Sequence, residues 1–278
     1  MSEPRSIDVN AFHDFEHAGW ERAAEHYADA FGSLTKETAG PLLDAVGARV
    51  GTRLLDVACG PGFVAGSAAA RGADVIGLDF SPAMIAQARR AQPTVQFREG
   101  DAEALPFGPS SFDAVVMNFG LLHLARPDAA IGEARRVLSP GGRYGFTIWA
   151  APELALGFGM VLKAVEEFGR TDVGLPEGPP FFRFSSAAEC RRVLEQSGFG
   201  DVGVRTLPLT WMLHSPDAVF DALMRGGVRT AAVLRAQTAE ALENIRQAIR
   251  RSAERFVRGS AVEIPMPAVL ASGTRREV

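Results

Sequence analysis

From Arg53 to Trp149 the chain alternates short apolar runs with helical stretches. Strands and helices arranged this way bury their apolar faces in a parallel sheet covered by helices on both sides. Strands are expected at Arg53–Val57, Asp74–Leu78, Val95–Glu99, Asp113–Asn118 and Arg143–Trp149. The first crossover helix is the alanine-rich run from Phe63 to Arg71, stopped by Gly72. Ser81-Pro82 opens the next with a capping hydroxyl and a proline at the first helical position. Asp128 to Leu138 supplies a third, closed by a turn at Ser139-Pro140-Gly141-Gly142.

Beyond Trp149 the pattern breaks. Pro152, Pro176, Pro179 and Pro180, with several glycines, predict an irregular insertion up to Phe184. Tyr144 to Leu162 is too interrupted to span a membrane and reads as a buried strand followed by a loop. A capping box at Ser186 to Glu189 restarts a helix that Gly198 ends, and Val202–Leu207 reads as a sixth strand. Leu234, Leu242, Ile245, Ile249 and Phe256 recur at helical spacing, predicting one amphipathic helix over most of Ala231–Val257. Its arginines, Arg246 to Arg258, read as a solvated face. A final short strand is expected at Met266–Ser272.

With 29 Lys+Arg against 33 Asp+Glu, the net charge of −4 offers no general attraction to nucleic acid or anionic lipid. A small molecule is the expected partner, without membrane insertion; the oligomeric state, monomer or homodimer, stays open. Charged residues through the first thirty positions leave no apolar core for a signal peptide. Cys59 and Cys190 lie far apart, which argues against a disulfide framework or a zinc site and for a reducing cytoplasm.

The stretch Asp56-Val57-Ala58-Cys59-Gly60-Pro61-Gly62 runs a buried strand into a glycine turn and then a helix, so a ligand can approach bare backbone. Gly60 to Ala65 also satisfies the dinucleotide fingerprint G-x-G-x-x-G/A, with Asp79 near the spacing of a ribose-binding acid. Charge separates the readings. A carboxylate at Asp56 is a poor host for a pyrophosphate, but it suits the sulfonium and ammonium groups of S-adenosylmethionine (SAM). Asp56 as a turn-forming carboxylate that accepts backbone N–H bonds is the structural alternative. Asp79 can accept both ribose hydroxyls, since Ser81 already fills the capping position. Asp101, in Arg98-Glu99-Gly100-Asp101-Ala102, ends the third strand and can accept from an adenine amino group.

Together, Leu54 to Gly62, Gly77-Leu78-Asp79-Phe80-Ser81-Pro82-Ala83-Met84 and Gly100-Asp101-Ala102-Glu103-Ala104-Leu105-Pro106-Phe107 resemble a class I SAM-dependent methyltransferase. The type is the small-molecule one that includes the ubiquinone and menaquinone methylases, the methyltransferase type 11 domain. Phe112 to Asn118 and Val137 to Gly142 continue the resemblance, which covers Arg53 to Trp149. It implies that Asp56, Ala58, Gly60, Pro61 and Gly62 surround the methionine moiety, Asp79 holds the ribose, and Phe80 and Met84 lie beside the adenine. It places Gly100, Asp101 and Ala102 at the adenine edge, with Asn118, Phe119 and Gly120 across from the sulfonium. Ala58 departs from the glycine common in the family.

His13-Asp14-Phe15-Glu16-His17 fits the metalloprotease pattern H-x-x-E-H, but without an obvious third ligand we read it as a polar helix face in a lid and expect no metal. His123 follows the fourth strand, where it can take a proton from the methyl acceptor or simply start a helix. Trp20, Tyr27, Phe158, Phe182 and Trp211 are candidates to line an apolar acceptor pocket, or else to pack the insertions.

The expected architecture is an α/β, Rossmann-like, doubly wound sheet of seven mainly parallel strands with helical cap insertions, its last strand antiparallel as the resemblance implies. Residues 52–149 and 185–208 form the core, 1–51, 150–184 and 209–260 the cap, and 261–278 the last strand and tail. The expected activity is methyl transfer from SAM, leaving S-adenosylhomocysteine, to an oxygen, nitrogen or carbon of a small apolar or aromatic molecule. The alternatives are an NAD-dependent oxidoreductase and a non-catalytic SAM-binding module.

Overall fold

A computed structural model describes residues 7–277; the first six residues of the 1–51 segment, and Val278 of the tail, lie outside the described residues. Its strands are β1 (Arg53–Val57), β2 (Asp74–Asp79), β3 (Gln96–Glu99), β4 (Phe112–Asn118), β5 (Leu138–Trp149), β6 (Phe199–Leu207), β7 (Thr210–Leu213), β8 (Val257–Arg258), β9 (Ala261–Pro265) and β10 (Ala268–Arg275). Seven form one sheet in the order β3-β2-β1-β4-β5-β10-β6. The first five run parallel, and β10 lies antiparallel between β5 and β6, as expected of the last strand. Leu54, Leu55, Val115 and Val116 of the central strands are fully buried, which explains their unbroken apolar runs.

The cap begins with α1 (Val9–Tyr27), α2 (Ser33–Lys36) and α3 (Ala39–Ala45), and the crossovers are α4 (Phe63–Ala70), α5 (Pro82–Ala91) and α6 (Pro127–Val137). Ser81 caps α5 as expected, its hydroxyl accepting the Met84 N–H at 3.1 Å.

The 150–184 insertion is not irregular throughout, because it contains the helix α7 (Leu156–Phe168). Pro152 precedes that helix and the other prolines follow it, so none interrupts the buried stripe of Phe158, Val161, Ala164 and Val165. The capping box before α8 (Ala187–Gln196) does not form: Ser186 makes no side-chain cap, and Glu189 is taken by Arg183 and Arg192.

Three helices follow: α9 (Asp217–Gly226), α10 (Arg229–Arg235) and α11 (Ala239–Glu254). The single helix expected over Ala231–Val257 is therefore two, divided at Thr238, whose hydroxyl caps α11 by accepting the Ala241 N–H at 3.2 Å. A three-stranded antiparallel sheet, β7-β9-β8, was not expected; it draws β7 and β8 from 209–260 and β9 from the 261–278 segment. Among the described residues no helix is long and apolar enough to cross a membrane.

Candidate functional site

Strand order reverses beside β1, with β2 on one flank and β4 on the other. Such a switch point opens a crevice beyond the carboxyl ends of the strands. There the structure holds a cleft whose empty volume, its open mouth included, is about 870 Å³. The ends of β1 to β4 supply Ala58 to Pro61, Asp79 and Phe80, Gly100 to Glu103, and Asn118 to Gly120; α1 covers it with His13, Trp20 and Tyr27, and Met84 and His123 also line it.

The turn after β1 places three residues in the left-handed region: Ala58 at φ 53°, Gly60 at 52° and Gly62 at 82°. A Cβ on Gly60 would meet nothing within 4 Å, so bare backbone faces open space in the cavity wall. Gly62 does not reach the cavity. It caps α4 and makes the turn, with the Phe97 ring 3.0 Å from where a Cβ would sit.

Asp79 lies in the wall, where Oδ2 accepts the Gly60 N–H at 2.8 Å and Oδ1 the Ser81 N–H at 3.0 Å. Burial raises its pKa to about 6, against the lowering effect of those two bonds, so it is ionised at neutral pH with lone pairs left for hydroxyl donors. Asp101 also lines the cavity, and its Oδ1 accepts the Glu103 N–H at 2.8 Å. Glu103 is buried and accepts from both the backbone N–H and Nε of Arg126 at 2.7 and 2.8 Å.

Asp56 is different. It does not line the cavity: Oδ2 accepts the Ala65 N–H at 2.9 Å inside α4, and Oδ1 is buried without a partner. Burial pushes its carboxyl up to about 8, so the group is mostly protonated at neutral pH. The geometry is that of the turn-forming acid, and the charge argument placed on Asp56 fails. The cavity itself restores that argument, since Asp79 and Asp101 line it, with Glu103 paired to Arg126, while no lysine or arginine among the described residues does. Such a wall suits a cationic ligand and repels a pyrophosphate. With open backbone at Gly60 and a ribose-competent acid at Asp79, the residues fit SAM.

Asn118 is committed within the protein: Oδ1 accepts from the hydroxyls of Thr38 and Thr147 at 2.7 and 2.5 Å, and Nδ2 donates to the Thr35 carbonyl at 3.1 Å. It thereby ties the end of β4 to the α2–α3 segment. Phe119 stacks on Trp149, with ring centroids 4.1 Å apart.

A second cavity of about 480 Å³ lies beyond the first and shares Trp20, Tyr27, Phe119 and His123 with it. Phe31, Trp149, Phe158 and Phe181 make its wall aromatic, and Arg229 is the one arginine in it among the described residues. Phe182 instead lines a neighbouring groove with Phe158 and Leu162. Trp211 lines neither cavity; it is buried in the core, stacked on Phe31, and donates Nε1–H to the Ala30 carbonyl at 3.1 Å. Burial lifts the Tyr27 hydroxyl to about 12.

His123 meets Glu16, which the sequence reading left on a polar face of α1 and which the structure instead buries. Nδ1 of His123 lies 2.9 Å from Oε2 of Glu16, and Oε1 of Glu16 accepts from Nε of Arg229 at 2.8 Å. Glu16 is 0% exposed. A signal was available: Phe12, Glu16, Gly19 and Ala23 follow helical spacing on the buried stripe of α1, so an acid occupies an apolar position. Arg229 gave no comparable sign, because only the tertiary fold brings it to Glu16. No group of side chains able to hold a metal occurs among the described residues.

Residues 55–146 match the family described as "Methyltransferase domain". A demethylmenaquinone methyltransferase of Beutenbergia cavernae is 43% identical over 121 residues, covering 42% of this chain and 50% of that protein. A malonyl-[acyl-carrier protein] O-methyltransferase of Enterobacter lignolyticus is 36% identical over 137 residues, covering 49% and 54%. The chain spans about half the length of these curated relatives. Among solved structures, phosphoethanolamine N-methyltransferase 2 of Haemonchus contortus, in complex with phosphomonomethylethanolamine and S-adenosylhomocysteine, aligns with a TM-score of 0.60 at 17% identity. That alignment covers 99% of this chain and 62% of that one, and at such identity it speaks for the fold.

Proposed function

We propose that this chain, whose residues 55–146 match the "Methyltransferase domain" family, is a class I SAM-dependent methyltransferase that moves a methyl group from SAM to a small apolar or aromatic acceptor. One observation carries the reading: an acid-lined cavity at the switch point and an aromatic cavity share the wall formed by Trp20, Tyr27, Phe119 and His123. When bound, SAM supplies a methyl group on a sulfonium, already a good leaving group. The protein's work is therefore alignment and exclusion of water.

Asp79 accepts the ribose hydroxyls, Asp101 and Ala102 meet the adenine edge, and Phe80 and Met84 flank its faces. The bare backbone of Ala58 to Pro61 holds the methionine portion. Asn118 and Gly120 face the methionine end of the cofactor, Phe119 stands in the wall that the two cavities share, and Phe158 helps to hold the acceptor in the aromatic chamber, where His123 takes its proton. A reducing cytoplasm is the compartment we infer, because Cys59 and Cys190 are both unpaired and buried.

Calorimetry with S-adenosylhomocysteine, SAM and NAD tests the cofactor, and labelled-methyl transfer to a panel of quinols, phenols and heterocyclic amines tests the reaction. S-adenosylhomocysteine is expected to bind and NAD to bind far more weakly. Micromolar NAD affinity with no heat from SAM at millimolar concentration would sink the assignment. Binding without transfer to any panel member or to a wider acceptor set would leave a SAM-binding module.

A further inference from the structure

We infer that Glu16 is a positioning residue that fixes the tautomer of His123, and that the lid helix α1 delivers it. This rests on the reading of His123 as the proton acceptor. Glu16 is fully buried, yet it meets two partners at hydrogen-bond distance, Nδ1 of His123 at 2.9 Å and Nε of Arg229 at 2.8 Å. Arg229 can only donate, so Oε1 accepts from it, and in that ion pair the second carboxylate oxygen, Oε2, faces Nδ1 as an acceptor too. A carboxylate that only accepts compels the histidine to carry its hydrogen on Nδ1, which leaves the Nε2 lone pair bare.

Arg229 is itself held. Its other nitrogens donate to the carbonyls of Pro179 and Leu122, and its guanidinium lies 4.4 Å over the Phe12 ring. The edge-on Trp20 indole, 4.7 Å from the imidazole centroid, and Phe181 restrain the histidine ring. Carboxylate, imidazole and guanidinium thus come from three separate elements and converge where the two cavities meet.

In the transfer step, the acceptor heteroatom forms a bond to the methyl carbon. The carbon–sulfur bond breaks with its electron pair going to sulfur, and the acceptor's proton passes to Nε2. The imidazolium then faces the Glu16 carboxylate and later releases its proton to water. Because Glu16 lies on α1, lifting the lid to admit ligand would remove the histidine's partner, so the base is set only with the cavity covered. A second contact seats the lid: Glu21 accepts from the Ser81 hydroxyl at 2.5 Å and the Ala83 N–H at 3.2 Å.

Long-range proton–nitrogen NMR on the full chain, labelled at its five histidines and saturated with S-adenosylhomocysteine, tests this. His123→Gln identifies the resonance. The wild type is expected to show the Nδ1–H tautomer. Glu16→Gln preserves size, but its carbonyl must serve Arg229, which turns the amide N–H₂ toward Nδ1 and switches the ring to the Nε2–H tautomer. Glu16→Asp is expected to keep Nδ1–H. An Nε2–H tautomer in the wild type overturns the inference without any variant, and so does an unchanged tautomer in a folded Glu16→Gln. Loss of S-adenosylhomocysteine binding in the wild type would instead strike the cofactor reading, which calorimetry reports separately.

Discussion

Oδ2 of Asp79 accepts the N–H of Gly60 at 2.8 Å, so the acid ending β2 holds the glycine turn ending β1. Its Oδ1 fixes the Ser81 N–H at the start of α5 in the same way. A residue read from the sequence as a ribose ligand is therefore also a brace between two loops of the site.

Asp79→Ala is accordingly expected to lower stability as well as affinity. Two backbone donors lose their acceptor, and an unsatisfied buried donor costs roughly 1–3 kcal/mol. Cavity water will restore part of that, so a loss of about 1–2 kcal/mol is expected in denaturant unfolding. The S-adenosylhomocysteine dissociation constant should rise at least tenfold, about 1.4 kcal/mol. An unchanged dissociation constant in a folded variant would confine Asp79 to bracing.

The buried acids also set a pH dependence. The Asp56 carboxyl is held near 8 and the Asp79 carboxyl near 6, both above the ordinary value of 3.8 that the unfolded chain shows. Between these limits the native state binds more protons than the unfolded one, so stability falls as pH rises. The loss from Asp79 is complete near pH 6 and that from Asp56 near pH 8. Melting temperatures of the ligand-free protein should thus decline from pH 5 to 8 more steeply than those of Asp56→Asn, which has no proton to hold. Parallel profiles would show that Asp56 ionises normally.

The parallel core was legible because strand burial leaves an unbroken apolar run, and glycine turns and caps mark the ends. Five strands, the Ser81 cap and most of the cavity wall could be read from Arg53 to Trp149. The cap was less legible. Leu234 to Phe256 keeps helical spacing across the break at Thr238, because spacing survives a short interruption that only a local cap reveals. Asp56 shows a further limit: its position along the chain resembles that of a ligand acid, while its contact with Ala65 depends on how α4 packs back on β1.

Trp211 was read as a pocket candidate, and its burial makes a contrasting prediction. Trp211→Phe keeps an aromatic ring against Phe31 and deletes the bond to the Ala30 carbonyl. A net cost of about 1 kcal/mol is expected from the hydrogen bond, with an added packing loss from the smaller ring. S-adenosylhomocysteine affinity should stay within twofold. A variant with native stability and altered binding would return Trp211 to the site.

His123→Gln tests the proton acceptor once the panel provides a working substrate. A general base contributes roughly 10²–10⁴-fold, so turnover is expected to fall by that range while binding of S-adenosylhomocysteine changes little. Rates within twofold of the wild type would mean that the acceptor ionises without help or gives its proton to water.

Ala58 sits at φ 53°, in the left-handed region where a side chain crowds its own backbone. That conformation costs an ordinary residue about 1–2 kcal/mol, whereas glycine enters it freely. Glycine also loses more freedom on folding, about 0.5–1 kcal/mol relative to alanine, which offsets part of the relief. Ala58→Gly should therefore be stabilising by roughly 0.5–1 kcal/mol, the opposite of most glycine substitutions. The same change at Ala65, inside α4 and fully buried, should instead destabilise by about 1 kcal/mol or more. Thermal melts of the two variants side by side make the comparison, with S-adenosylhomocysteine affinity as the check on the turn. If Ala58→Gly melts below the wild type while binding is retained, the alanine methyl contributes more packing against the turn than its backbone strain costs, and the left-handed φ is not the dominant effect at that position.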